Sequence, residues 1–143
     1  MNFRLEAKNE SVREILYTIE KQDVQKKLTK SDIQTYLQSL LQKDEYYLNN
    51  NSGSLSMYSE GTIYFLPTYK YIKKEKMYDI KRTPAWCDRI FFSCTDSKKL
   101  AILKYWDIDC YQSDHKPICG AFKILVRKED ADKKKKLLQT YMD

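Results

Sequence analysis

The sequence predicts a layered fold of helices packed on strands, α/β or α+β in class, with helices in the first third and antiparallel strands after them. Apolar residues recur at helical spacing before residue 42. After residue 60 they fall instead into short runs or alternate, and no segment repeats another. With 143 residues, 42% apolar and 32% charged, the chain can bury one core and is not a disordered tail by composition.

The elements follow in order. Ser11 and Glu14 have capping-box spacing ahead of a stripe of Val12, Ile15, Leu16 and Ile19. Ser31 and Gln34 repeat that spacing before Ile33, Tyr36, Leu37, Leu40 and Leu41, a stripe wide enough to require a facing layer. Residues Asn49 to Ser54 form a polar turn. Ile63 to Leu66 reads as a buried strand stopped by Pro67, Arg89 to Ser93 as a second strand and Leu100 to Tyr105 as a third. Ile118 to Val126, with apolar residues mostly two apart, reads as a fourth. The stretch Arg127 to Lys136 carries six basic and three acidic residues and predicts a charged helix or a solvated tail.

Charge and cysteine usage narrow the function. The net charge of +6 favours anionic partners. No apolar run reaches the roughly 18 residues of a membrane span, and no export signal is visible, so a cytoplasmic location is expected. Cys87, Cys94, Cys110 and Cys119 form no CxxC pair, and His115 is the only histidine. Structural zinc and a disulfide scaffold are therefore not expected, and the thiols read as reduced and mostly packed.

Chemistry concentrates in three stretches. Pro67-Thr68-Tyr69-Lys70-Tyr71 runs into Lys73, Lys74, Lys76, Lys81 and Arg82; from Lys70 to Arg82 there are six basic and two acidic residues. Such a cluster suits a ligand with several phosphates, each taking charge-assisted hydrogen bonds, although an ordinary basic surface loop has the same composition. Arg82-Thr83-Pro84-Ala85-Trp86-Cys87-Asp88-Arg89-Ile90 places Asp88 where a rigid turn feeds a strand. Ser113-Asp114-His115-Lys116-Pro117 carries the lone imidazole. An imidazole held by a carboxylate can donate to a phosphoryl oxygen while the carboxylate fixes its tautomer.

In this order, the three stretches strongly resemble the inositol polyphosphate 5-phosphatases of the endonuclease/exonuclease/phosphatase superfamily. Met1-Asn2-Phe3-Arg4-Leu5 resembles the end of that family's Gly-Asp-x-Asn-Tyr/Phe-Arg-Ile/Leu motif, and Glu60 to Phe65 its approach to Pro-Thr-Tyr-Lys. The resemblance covers residues 1–126, leaving 127–143 as a Lys-rich tail. It implies the C-terminal half of a two-sheet α/β sandwich, whose missing N-terminal half is the partner it requires.

The resemblance also implies Mg²⁺-dependent hydrolysis of the 5-phosphate of a phosphoinositide lipid or a soluble inositol polyphosphate, by in-line attack of water. His115 would contact the scissile phosphate, Asp88 would orient His115, and Asp114 would lie beside phosphate and metal. Asn2 would hold the attacking water or a phosphate oxygen. Tyr69, Lys70 and Arg82 would grip the neighbouring 4-phosphate. Lys81 stands one residue beyond the family's lysine position, which is Ile80 here. The family's general-base Asp and its upstream Mg²⁺-binding Asn and Glu motifs have no counterpart in this sequence. The resemblance therefore identifies no metal ligand in the chain, and the 143 residues alone are expected to be inactive. Contact with the cytosolic face of a membrane is expected and nucleic acid is not; a non-catalytic phosphoinositide- or anion-binding half-domain is the alternative.

Overall fold

A computed structural model describes Glu14, Leu16, Tyr17 and residues 29–48, 55–79 and 81–142. Asn2 and the motif around it, most of the first helical stripe, the 49–54 turn and Ile80 lie outside the described residues.

Helix α1, Lys30–Leu41, begins two residues earlier than the Ser31–Gln34 spacing predicts. Its cap is Thr29, whose hydroxyl accepts the Asp32 N–H at 3.2 Å while the Asp32 carboxylate accepts the Thr29 N–H at 2.9 Å. Asp32 is three residues on from Thr29, so the two side chains satisfy each other's backbone donors reciprocally. The Thr29 hydroxyl, which also donates to the Asp32 carboxylate at 2.6 Å, and the Thr29 N–H hold that carboxyl below its ordinary pKa. The predicted stripe is correct: Leu37, Leu40 and Leu41 are buried, with Ile33 and Tyr36 packed beside them. A four-residue helix α2, Glu45–Leu48, follows.

Strand β1, Ser59–Glu60, pairs antiparallel with β2, Phe91–Phe92. Beyond β1 the chain keeps a period of two: Gly61, Ile63, Phe65 and Pro67 are buried, while Thr62 and Tyr64 face out. The strand predicted at Ile63 to Leu66 is thus one-sided rather than fully buried, and it joins no ladder among the described residues. The second predicted strand shortens to Phe91–Phe92. A 3₁₀ turn at Ser97–Lys99 leads into β3, Leu100–Asp107, which pairs antiparallel with β4, Ile118–Ile124. A register irregularity between Ile102 and Lys104 leaves Leu103 unpaired and exposed. Helix α3, Ala131–Met142, is the charged tail, with Leu137, Leu138 and Tyr141 exposed.

One core joins these parts. Leu16, Leu37, Leu40 and Leu41 meet Ile63, Phe65, Tyr71, Tyr78, Trp86 and Tyr105. Trp86 is fully buried and its indole N–H donates to the Phe65 carbonyl at 3.0 Å, a partner that makes burying the ring tolerable. Beside it, the Arg89 guanidinium is enclosed at 1% exposure. It donates to Asp44 at 2.6 Å and forks onto both Glu60 oxygens at 2.9 and 2.5 Å. Burial opposes the Arg89 cation, but Glu60 and Asp44 more than offset it and raise its pKa above the ordinary value. The Tyr105 hydroxyl donates to Glu60 at 3.0 Å and accepts the Ile90 N–H at 3.1 Å. This network clamps β1 and the start of α2 to the segment that carries Asp88.

Candidate active site

The three predicted stretches converge. Tyr69 sits between the other two: its N–H donates to Ala85 O at 3.1 Å, it accepts the Ala85 N–H at 2.7 Å, and it bridges to His115 on its other edge. Its ring lies 4.6 Å from the His115 ring, tilted by 37°. The Lys116 N–H donates to the Thr68 carbonyl at 2.9 Å and the Tyr71 N–H to the Asp114 carbonyl at 2.9 Å. Backbone bonds therefore fix the His115 loop against the Pro67–Tyr71 segment.

Within that frame Asp88 and His115 meet as the resemblance implies. Nδ1 of His115 lies 2.9 Å from Asp88 Oδ2, with the imidazole 41% exposed and the carboxylate 34%. A carboxylate can only accept, so Nδ1 carries the proton and the Nε2 edge is left for an incoming group. The same Asp88 oxygen accepts the hydroxyl of Thr68, a fully buried side chain, at 2.8 Å.

Asp114 is beside this pair but not bonded to it; its carboxylate accepts from the Ser113 hydroxyl at 3.3 Å. Its own backbone N–H, aided by Ser113 and the charges of His115 and Lys73, holds its carboxyl below the ordinary range. The basic stretch is divided. Lys73, Lys74 and Lys76 lie on a hairpin closed by the Tyr71–Tyr78 bridge, whose stacked rings are 4.2 Å apart. Lys70 instead pairs with Asp79 at 3.2 Å. Asp79 also accepts the Lys81 N–H at 3.0 Å on its carboxylate and the Arg82 N–H at 3.2 Å on its carbonyl. One aspartate thus turns the Lys81–Arg82 backbone toward Lys70, and the Lys81 and Arg82 side chains are exposed. The Lys81 N–H and Lys70 hold the Asp79 carboxyl below its ordinary pKa.

Four contributors were not singled out by the sequence reading: Thr68, Asp79, Arg89 and Lys116. Each lies in or beside a quoted motif; Thr68 and Arg89 reach partners 20 to 45 positions away, while the Asp79 and Lys116 side chains bond partners within nine. Lys116 is 7% exposed and bonds Asp107 and, at 3.2 Å, Asp109, so it fastens the His115 loop to the end of β3. The Tyr111 hydroxyl, with Lys116 and Lys76, lowers the Asp109 pKa to about 2. A depressed carboxyl stabilises the folded chain above its ordinary value of 3.8, and that contribution is lost as pH falls through about 2. The melting temperature is expected to drop across that window, and Asp109→Asn to flatten the drop; an unchanged acid slope in the variant would contradict this.

The four cysteines form no disulfide. All four are free; Cys94 is exposed, which corrects the packed reading for that one. Burial, reinforced by Asp88 and Asp44, pushes the Cys87 thiol up to about 11, away from thiolate reactivity. Among the described residues no group of three or more His, Cys, Asp or Glu could hold a metal ion. No described helix is long and apolar enough to cross a membrane.

The site is thus an imidazole braced by a carboxylate, open on one edge and flanked by a tyrosine ring. The chain belongs to the endonuclease/exonuclease/phosphatase family 2, whose model matches residues 1–121, within the inositol polyphosphate 5-phosphatase branch of phosphatases. It is 34% identical over 149 residues to the polyphosphatidylinositol phosphatase INP53 of Saccharomyces cerevisiae, covering 99% of this chain and 12% of that protein. With the type IV inositol polyphosphate 5-phosphatase 11 of Arabidopsis thaliana it shares 43% over 105 residues, 68% of this chain and 31% of that one. The chain therefore spans less than a third of the length of either relative.

Solved structures agree on the fold. The inositol polyphosphate 5-phosphatase domain of SPsynaptojanin, in complex with inositol (1,4)-bisphosphate and calcium ion, matches with a TM-score of 0.60 and 26% identity. That match covers 96% of this chain and 36% of the other. A Cimex nitrophorin mutant in its ferrous NO complex matches at 0.69 with 21% identity, covering 87% and 39%, which is a likeness of fold alone. The fold is thus the α/β endonuclease/exonuclease/phosphatase type, with the helices and antiparallel strands predicted.

Proposed function

We propose that this chain supplies the phosphate-facing part of an enzyme that hydrolyses the 5-phosphate of phosphoinositides or soluble inositol polyphosphates. The observation that carries the reading is the Asp88–His115 contact at 2.9 Å beside Tyr69, set within motifs of this family. The solved relative holds inositol (1,4)-bisphosphate, an inositol phosphate without a 5-phosphate, as the product of such a reaction would be.

Water adds to phosphorus as the bond to the inositol oxygen breaks, and inorganic phosphate and the inositol alcohol result. Charge builds on the phosphoryl oxygens, and preorganised donors aimed at it lower the barrier. His115 presents its Nε2 edge to such an oxygen while Asp88 holds the ring through Nδ1. Tyr69, Lys70, Lys81 and Arg82 hold the neighbouring phosphate, and Asp114 adds a fixed negative charge at the edge. Asn2 takes the water or phosphate oxygen. Mg²⁺ belongs to this reading, with ligands outside the described residues. The same basic rim faces the cytosolic surface of a membrane when the substrate is a lipid.

The test is phosphate release from inositol 1,4,5-trisphosphate. The 143-residue chain is expected to give none alone, and Mg²⁺-dependent release is expected once a polypeptide bearing the family's upstream metal motifs completes the domain. Release by the chain alone, abolished by His115→Ala, would show that turnover needs no such complement. Binding of the trisphosphate indifferent to Mg²⁺, with no turnover in the completed domain, would point instead to an anion-binding module.

A further inference from the structure

The Asp88 carboxylate has a second partner that the motif reading leaves unused. Thr68 is fully buried, and its hydroxyl donates to Asp88 Oδ2 at 2.8 Å, the oxygen that also faces His115 Nδ1 at 2.9 Å. The same hydroxyl oxygen lies 3.4 Å from the Asp88 N–H, and the Thr68 carbonyl accepts the Lys116 N–H at 2.9 Å. Thr68 thus touches both ends of the pair, the carboxylate directly and the His115 loop through the neighbouring backbone.

We propose that Thr68 is a positioning residue that locks the Asp88 carboxylate in the orientation that keeps the His115 proton on Nδ1. This rests on the phosphatase reading for its purpose but not for its test. A carboxylate on an aspartate rotates about its terminal bond in a broad well, so one hydrogen bond from a fixed donor decides which oxygen faces the ring. Thr68 is a fixed donor because its side chain is enclosed and its backbone is tied to Lys116. Val matches Thr in shape but lacks the donor. In Thr68→Val the carboxylate is free to turn away, Asp88 N–H loses its acceptor, and Nδ1 loses the partner that fixes the tautomer.

His115 is the only histidine, so its two ring nitrogens give the only imidazole signals of the full chain in nitrogen-15 NMR. In the neutral ring the Nδ1–H tautomer is expected to dominate in the wild type and in Thr68→Ser, which keeps the hydroxyl. It is expected to become the minor form in Thr68→Val and in Asp88→Ala. Thr68→Ala, with the same expectation, replaces the valine variant if that one does not fold. A folded Thr68→Val or Thr68→Ala with the wild-type tautomer would overturn the proposal, as would a serine variant that behaves like valine. Because the readout involves no substrate, loss of the phosphatase reading would leave this result standing, and the reverse holds as well.

Discussion

Arg89→Met is expected to destabilise the chain by about 3–5 kcal/mol in urea denaturation, the usual cost of removing one partner from an enclosed ion network. The substitution keeps an unbranched apolar stem but strands two carboxylates. Asp44 is fully buried and the Glu60 side chain is 4% exposed, so water cannot replace the guanidinium. Burial already pushes the Asp44 carboxyl above its ordinary pKa with Arg89 in place. Arg89 also stacks 4.6 Å from the Tyr46 ring, and that packing goes with the charge. Since Arg89 follows Asp88 directly, loosening the network loosens the Asp88 carboxylate too. A loss under about 1 kcal/mol, the range of an exposed ion pair, would show that the network does not hold the fold together.

His115→Ala is expected to lower kcat about 10²–10³-fold in the completed phosphatase, or about 3–4 kcal/mol, the usual worth of one oriented donor to a developing oxyanion. Asp88→Ala should cost about as much, since it removes the acceptor that holds the ring. The double variant should then cost little more than either single one, because the two residues act as a unit. Steady-state kinetics on the three variants test this. Multiplying effects would mean that Asp88 and His115 work independently, which the 2.9 Å contact does not allow.

Local signals in the sequence carried much of this. The α1 stripe was legible because Leu37, Leu40 and Leu41 recur at helical spacing, and burial follows spacing when a helix packs on a core. Its start was not, since Thr29–Asp32 and Ser31–Gln34 overlap and only the competition between two caps decides the winner. The run Ile63-Tyr64-Phe65-Leu66 looked buried on both faces because tyrosine scores as apolar, yet Tyr64 is 64% exposed and its ring stands outside the core. The end of β4 was overdrawn for a similar reason: Val126 is apolar but lies past the last ladder pair.

The site divides in the same way. Asp88 and His115 were legible because each stands inside a compact motif, and the chemistry of an Asp–His pair names its own partner. Thr68, Asp79, Arg89 and Lys116 act through partners set by tertiary folding. Thr68 reaches across 20 positions to Asp88, and Arg89 across 29 to Glu60 and 45 to Asp44. Nothing in the local sequence distinguishes a lysine such as Lys116, enclosed by two carboxylates, from the solvated lysines of the 71–78 hairpin.

The most direct measurement of the central claim is a titration of the 143-residue chain with inositol 1,4,5-trisphosphate and, separately, with inositol 1,4-bisphosphate, followed at the His115 ring nitrogens. The trisphosphate is expected to move the His115 signals and the bisphosphate to leave them near their starting positions, while both shift Lys70 and Arg82. Equal movement of His115 with either compound, or none with both, would contradict the assignment of His115 to the 5-phosphate.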